Sequence, residues 1–140
     1  MDVQRINHIG IRVRDLAATR EFYERLGFEF VVGPVGPEPV AIMRHPCGVV
    51  LNFVLNATDE HGADNVLMDR DAKPTGYTHM ALEVRDLDAV CDELIRLGIP
   101  LSGGPIAVEG ARFVFIRDPD SNVVEFNQPG KPGAFKRSGH

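Results

Sequence analysis

The chain of 140 residues has the usual length of one domain, and 44% of its residues are apolar, which suffices for one continuous hydrophobic core. The formal net charge is -5, and the sequence has no lysine- or arginine-rich run that could follow a nucleic-acid backbone. It also has neither an apolar stretch of bilayer-spanning length nor a secretory pattern at its N-terminus. We therefore expect a cytoplasmic protein that binds neither nucleic acid nor membrane.

The first predicted elements are a strand and a helix near the N-terminus. Apolar residues alternate from Ile9 to Val13, which predicts a strand with one face on the core. Asp15 then occupies a helix N-cap position, and Gly27 stands where a left-handed backbone often ends a helix. Short strand-forming runs separated by Gly and Pro follow at 28–32, 40–44 and 49–55.

The same succession recurs later in the chain as an internal repeat. Residues 8–16 (HIGIRVRDL) match residues 79–87 (HMALEVRDL) at an offset of 71, and later positions match at an offset of 73. A second helix is predicted after the second match, followed by strands at 113–117 and 122–127. We expect a single domain that contains, in order, a module at about 5–56, a linker at 57–75, a second module at about 76–128 and a tail at 129–140.

Strand alternation places four polar side chains on the faces that turn away from the helices. They occupy equivalent positions in the two modules, as the pairs His8 with His79 and Asn52 with Glu125. Two imidazoles and a carboxylate suit a divalent ion that keeps open positions, and Fe, Mn, Zn, Ni and Co all accept such donors. The repeat therefore predicts one metal bound by His8, His79 and Glu125. The alternative is that each is an ordinary hydrogen-bonded or solvated strand residue.

Three further residues are candidates for contacting a substrate. Arg12 shares a face with His8 and could bind an anion, unless it is a solvated surface charge. Tyr77 could donate a proton to a bound oxygen, although packing is the favoured interpretation. Arg112 lies either at the mouth of a cleft or on the surface as a plain charge.

Four motifs carry a resemblance to a known family. They are Asn7-His8-Ile9-Gly10, Phe22-Tyr23-x-x-Leu26-Gly27-Phe28, Thr78-His79-Met80-Ala81 and Asp118-Pro119-Asp120-x-Asn122-x-Val124-Glu125-Phe126. Over about residues 5–128 the chain resembles the vicinal oxygen chelate superfamily, which includes glyoxalase I, extradiol dioxygenases and metal-free bleomycin-binding proteins. The resemblance implies an α+β fold of two βαβββ modules that form an eight-stranded, U-shaped open barrel with a metal-binding cleft.

The resemblance also implies a function. In that superfamily the residues matching His8, His79 and Glu125 bind the metal, and the substrate chelates it through adjacent oxygens. We expect a lyase, an isomerase or an extradiol-type dioxygenase in which Glu125 is catalytic. Many glyoxalases have glutamate where this chain has Asn52, which is a weak fourth ligand at most because an amide cannot act as a carboxylate base.

The class of partner is a small-molecule substrate. A homodimer is expected as well, because sheet edges must be covered and members of the superfamily commonly pair. The alternative function is a non-catalytic resistance protein of the bleomycin-binding type, which sequesters a small molecule without chemistry.

Overall fold

A computed structural model describes residues 1–58 and 64–130, and these residues divide into two compact units. The first unit is Met1–Asp64 and the second begins at Asn65, so the boundary lies inside the predicted linker, 57–75. Of the predicted tail, 129–140, all but the first two residues lie outside the described residues. Neither described helix has the length and apolar character that crossing a bilayer requires.

The first unit is a βαβββ module. It consists of β1 (Ile9–Arg12), α1 (Leu16–Arg25), β2 (Glu29–Val35), β3 (Val40–Arg44) and β4 (Val50–Val54). The strands form one sheet in the order β1-β4-β3-β2, in which β1 runs parallel to β4 and the other neighbours are antiparallel. The register of the parallel pair sets Gly10 beside Asn52.

The second unit repeats this module. It consists of β5 (His79–Glu83), α2 (Leu87–Arg96), β6 (Gly103–Val108), β7 (Ala111–Arg117) and β8 (Val123–Gln128), with the sheet order β5-β8-β7-β6. The parallel pair β5–β8 sets Ala81 beside Glu125, so Asn52 and Glu125 hold equivalent places as the repeat predicts. The predicted α+β class, with eight strands in two βαβββ modules, is confirmed for the described residues.

Both helices begin and end where the sequence predicts. The Asp15 carboxylate accepts a hydrogen bond from the amide of Ala17 at 3.0 Å, and the Asp86 carboxylate accepts one from Ala89 at 3.1 Å. Each bond satisfies an amide that the first helical turn leaves without a partner. Gly27 follows α1 with a φ of 95°, a value that a residue with a Cβ rarely adopts.

The core of each unit lies between its helix and its sheet. In the first unit Tyr23 and Phe53 are fully buried, with ring centroids 5.0 Å apart. In the second unit Leu87 of α2 and the β7 residues Val114 and Ile116 are fully buried. Since side chains alternate along a strand, the intervening β7 residues lie on the face of the sheet that α2 does not cover.

Strand β6 is absent from the sequence prediction, and β2 extends three residues beyond the predicted 28–32. Each of these strands contains a Gly-Pro pair, Gly33-Pro34 in β2 and Gly104-Pro105 in β6, with a cis peptide bond in both. Gly-Pro is typical of turns, which is why the sequence pattern ends one strand early and misses the other. Both strands are the outermost of their sheets, where a strand tolerates proline because its amide is not needed for pairing.

The end of the predicted linker is fastened to the β7–β8 turn by polar contacts. Asn65 donates its side-chain amide to the carbonyl oxygen of Ser121 at 3.0 Å. The two carboxylate oxygens of Asp69 accept from the Arg117 guanidinium at 2.8 and 3.0 Å. The Arg117 guanidinium holds the pKa of Asp69 below its ordinary value of 3.8.

Replacing Asp69 with asparagine is therefore expected to lower stability at neutral pH. A carboxyl whose pKa is depressed by folding stabilises the native state above its ordinary pKa of 3.8, and that contribution is lost as the pH falls through the folded-state value. The urea midpoint of Asp69→Asn should lie below that of the unmodified chain at pH 7, and the difference should shrink at acidic pH, below the ordinary carboxyl pKa of 3.8. Asp71→Asn, exposed in the same segment, is the matched control. An equal difference in urea midpoint at neutral and at acidic pH would contradict the role of the Asp69–Arg117 ion pair.

Candidate metal centre

His79 and Glu125 form a close pair on the face of the second sheet that turns away from α2. His79 is the first residue of β5, Glu125 lies in the neighbouring strand β8, and the register sets their side chains on one side of the sheet. The Nε2 atom of His79 lies 3.0 Å from Oε1 of Glu125. The His79 side chain is 30% exposed and the Glu125 side chain 10% exposed, so the carboxylate is buried while the imidazole remains partly open to water.

Further contacts hold the side chains of His79 and Glu125 in place. The hydroxyl oxygen of Thr78 lies 2.9 Å from Nδ1 of His79, and the side-chain amide of Asn127 donates to Oε2 of Glu125 at 2.8 Å. The ring of Phe115 meets the imidazole edge-to-face, with centroids 5.6 Å apart. These contacts leave His79 Nε2 and Glu125 Oε1 directed at each other.

The pair has the chemistry and spacing of two donors to one divalent ion. Two donor atoms that each lie about 2.1 Å from an ion, at right angles, are about 3.0 Å apart. The Nε2–Oε1 distance of 3.0 Å matches that separation. A histidine ligand usually has its second nitrogen hydrogen-bonded, and the Thr78 hydroxyl meets that condition. His79 and Glu125 therefore fit a divalent metal.

The other two predicted ligands lie in the first unit. His8 precedes β1 with an exposed side chain, and its Nδ1 lies 2.8 Å from Oδ1 of Asn7. Asn52 is half-buried in β4. Within residues 1–58 and 64–130, no group of three or more His, Cys, Asp or Glu side chains is clustered so as to hold a metal ion. The structure thus brings together two of the four candidate ligands, His79 and Glu125.

Two of the predicted substrate contacts are exposed side chains. Arg12 donates from Nε to the Asn56 side-chain oxygen at 2.9 Å, and its Nη2 lies 3.6 Å from the Glu38 carboxylate. A neighbouring carboxylate already balances the charge that an anionic substrate would meet. Tyr77 precedes β5 and is 99% exposed, so the favoured prediction that it packs in the protein is wrong. The Tyr77 side chain is exposed to solvent, and its role as a proton donor stays a prediction.

Arg112 lies on the opposite face of the second sheet from His79 and Glu125. Its Nη2 donates to Oδ1 of Asp88 in α2 at 2.8 Å. The two charges stabilise each other, so the pKa of Asp88 is lowered by its hydrogen bond to Arg112, and the pKa of Arg112 is raised by the same bond. Arg112 thus links β7 to α2 and is not part of the proposed site.

Sequence reasoning did not assign roles to three residues that touch the pair: Thr78, Phe115 and Asn127. The sequence does contain a signal for the last two. Asn127 lies two residues after Glu125 and so shares its face, and Phe115 alternates with the buried Val114 and Ile116. No periodicity signals the role of Thr78, because its contact depends on the side-chain rotamer of the next residue.

Comparisons with known proteins agree with this architecture. The family model of the Glyoxalase/Bleomycin resistance protein/Dioxygenase superfamily matches residues 5–126, and the chain belongs to this superfamily. It is 28% identical to a lactoylglutathione lyase of Pseudomonas putida, over 88% of this chain and 84% of the relative.

Solved structures show the same fold. An antibiotic binding protein from Streptomyces sp. CB03234 superposes with a TM-score of 0.71 at 22% identity, covering 93% of this chain and 99% of the other. A genomically encoded fosfomycin resistance protein from Listeria monocytogenes superposes with a TM-score of 0.69 at 16% identity, covering 93% and 94%. At these identities the likeness concerns the fold alone.

Proposed function

We propose that this protein is a divalent-metal-dependent enzyme whose small substrate presents two adjacent oxygens to the ion. The observation that supports it most is the close pair of His79 Nε2 and the buried Glu125 Oε1, 3.0 Å apart. His8 is the third proposed ligand, supplied within the chain or by a second copy, and Asn52 is a weak fourth. The ion would supply Lewis acidity at the substrate oxygens, a contribution usually worth several kcal/mol of barrier.

The protein's own residues have distinct proposed roles. Glu125 is the proposed proton carrier, because its carboxylate could accept a proton from the substrate at Oε1. Asn127 fixes Oε2 by its hydrogen bond at 2.8 Å, so the acceptor is directed toward His79 and the substrate. Phe115 limits rotation of the imidazole and excludes water from one side of the pair.

Lyase or isomerase chemistry is the leading form of this proposal. It is supported by superfamily membership and by the 28% identity to a lactoylglutathione lyase. Such a reaction needs a base, and Glu125 is the carboxylate in the pair. Extradiol-type ring cleavage is the second form, and it would require Fe(II) and dioxygen. Oxygen uptake with catechol-type substrates identifies the second, whereas Zn(II)- or Ni(II)-dependent conversion of a thiohemiacetal identifies the first.

Metal binding is the first test of the proposal. Chelator-treated protein titrated with Mn(II), Fe(II), Co(II), Ni(II) or Zn(II) in a calorimeter should bind one ion per site with at least one of them. Ion at 1,000 times its dissociation constant should raise the free energy of unfolding by about 4 kcal/mol. Elemental analysis checks the stoichiometry. Failure of all five ions to bind would contradict the proposal and favour sequestration of a small molecule, the bleomycin-binding alternative.

A homodimer is part of the proposal, because exposed sheet edges must be covered and members of the superfamily commonly pair. Light scattering on purified protein should give twice the mass of the 15.4 kDa chain. A monomeric mass together with full metal binding would place all the ligands of a site in one chain.

A further inference from the structure

The repeat extends to the residue before each histidine. Nδ1 of His8 lies 2.8 Å from the side-chain oxygen of Asn7, and Nδ1 of His79 lies 2.9 Å from the side-chain oxygen of Thr78. Asn7 and Thr78 are equivalent at the offset of 71 that relates the two histidines. In both modules a short polar side chain therefore binds the same ring nitrogen of the following histidine, although the two residue types differ.

The chemistry of Asn7 selects one tautomer of His8. An amide oxygen accepts hydrogen bonds and cannot donate, so the contact at 2.8 Å requires the proton of the neutral ring to be on Nδ1. Nε2 then carries a lone pair. A neutral imidazole in water favours the opposite arrangement, with the proton on Nε2, in which that nitrogen cannot bind a metal. The Asn7 contact thus prepares Nε2 of His8 as a donor.

The chemistry of Thr78 is different because a hydroxyl both donates and accepts. With the Glu125 carboxylate as acceptor, the His79 contact at 3.0 Å places a proton on Nε2, and in that tautomer Nδ1 accepts from the Thr78 hydroxyl. A metal held at Nε2 would require the other tautomer, in which Nδ1 carries the proton and donates it to the Thr78 oxygen. The Thr78 hydroxyl can serve both tautomers, because it donates to Nδ1 in one and accepts from Nδ1 in the other.

We propose that Asn7 and Thr78 are positioning residues for the two histidines. Asn7 favours the Nδ1–H tautomer of His8, whereas Thr78 is compatible with both tautomers of His79. The consequence for metal affinity rests on the proposed function, but the tautomers are properties of the metal-free protein. Loss of such an outer hydrogen bond typically lowers metal affinity 10- to 100-fold, and the exposed Asn7 contact belongs at the lower end.

The experiment uses the full chain with ¹⁵N-labelled histidine rings in mildly alkaline buffer, where imidazoles are ordinarily neutral. Two-bond ¹H–¹⁵N correlations report which ring nitrogen carries the proton, and His8→Gln and His79→Gln identify the signals. Metal-free His8 should show Nδ1–H and His79 should show Nε2–H. Asn7→Leu should shift His8 toward Nε2–H, whereas Asn7→Asp, which keeps an acceptor oxygen, should retain Nδ1–H.

Thr78→Val removes the hydroxyl with little change in shape. The Nδ1 resonance of His79 should move toward the value of a nitrogen without a hydrogen bond, and affinity for the metal that binds best should fall about tenfold. Thr78→Ser should restore both quantities. Nε2–H on His8 in the unmodified chain, or an unchanged Nδ1 resonance in Thr78→Val, would overturn the proposal. Absence of metal binding with the expected tautomers would contradict the proposed function and leave the positioning roles supported.

Discussion

Glu125→Gln is expected to lower the affinity for divalent metal by more than about 100-fold, since losing a ligand costs more than losing an outer hydrogen bond. Glutamine has nearly the same shape and can still accept from Asn127, but it contributes no negative charge to the ion. Calorimetric titration of the metal that binds the unmodified chain measures the change. The fold should persist, because the two side chains have almost the same volume.

The same variant separates the two roles proposed for Glu125. An amide cannot accept a proton, so turnover at saturating metal should fall by about 100- to 10,000-fold if the reaction needs a carboxylate base. Glu93→Gln, on the exposed side of α2, is the matched control and should behave as the unmodified chain in both measurements. Wild-type affinity in Glu125→Gln would remove Glu125 from the ligand set.

Gly33→Ala is expected to reduce the free energy of unfolding by about 3 kcal/mol or more. Gly33 has a φ of 137°, and a Cβ placed on it would lie 2.5 Å from Cα of Ala41 in the neighbouring strand. The contacted atom belongs to the backbone of a fully buried residue, so the strand itself would have to move. The pseudo-equivalent Gly104→Ala should behave similarly, because its Cβ would lie 2.7 Å from the carbonyl oxygen of Phe113.

Gly48→Ala serves as the control for both glycine substitutions. Gly48 has a φ of 108°, yet no atom lies within 4 Å of an added Cβ, so only the backbone conformation is penalised. A loss of about 1 kcal/mol is expected there. Urea denaturation of the three variants measures the differences. An equal loss of unfolding free energy in Gly33→Ala and Gly48→Ala would mean that close packing between β2 and β3 does not add to the cost of the Gly33 substitution.

Much of the fold was accessible from the sequence because the duplication makes each module a check on the other. The recurrence of residues 8–16 at 79–87 predicts matching strands, helices and caps, and Asp15 and Asp86 do cap their helices. Strand alternation also predicts that His79 and Glu125 share a face, and the structure places them 3.0 Å apart. The first inference depends on the internal repeat and the second on side-chain alternation along strands, and a single sequence shows both.

What sequence reasoning did not reach depends on contacts between distant residues or on unusual backbone. Strand β6 begins with Gly103-Gly104-Pro105, which has the composition of a turn, and only its pairing with β7 makes it a strand. The partners of Arg112 and Arg117 are Asp88 and Asp69, which no spacing rule connects to them. Metal binding by His8 together with His79 and Glu125 depends on how the modules assemble, and it stays a prediction.

Because of Pro34 and Pro105, the two edge strands of each sheet differ in their capacity to pair with a further strand. A proline offers no amide hydrogen, so β2 and β6 make poor templates for an incoming strand from another molecule. The opposite edge strands, β1 and β5, contain no proline, so each of their residues has an amide hydrogen. An incoming strand is therefore expected to pair with β1, which follows His8, or with β5, which begins at His79.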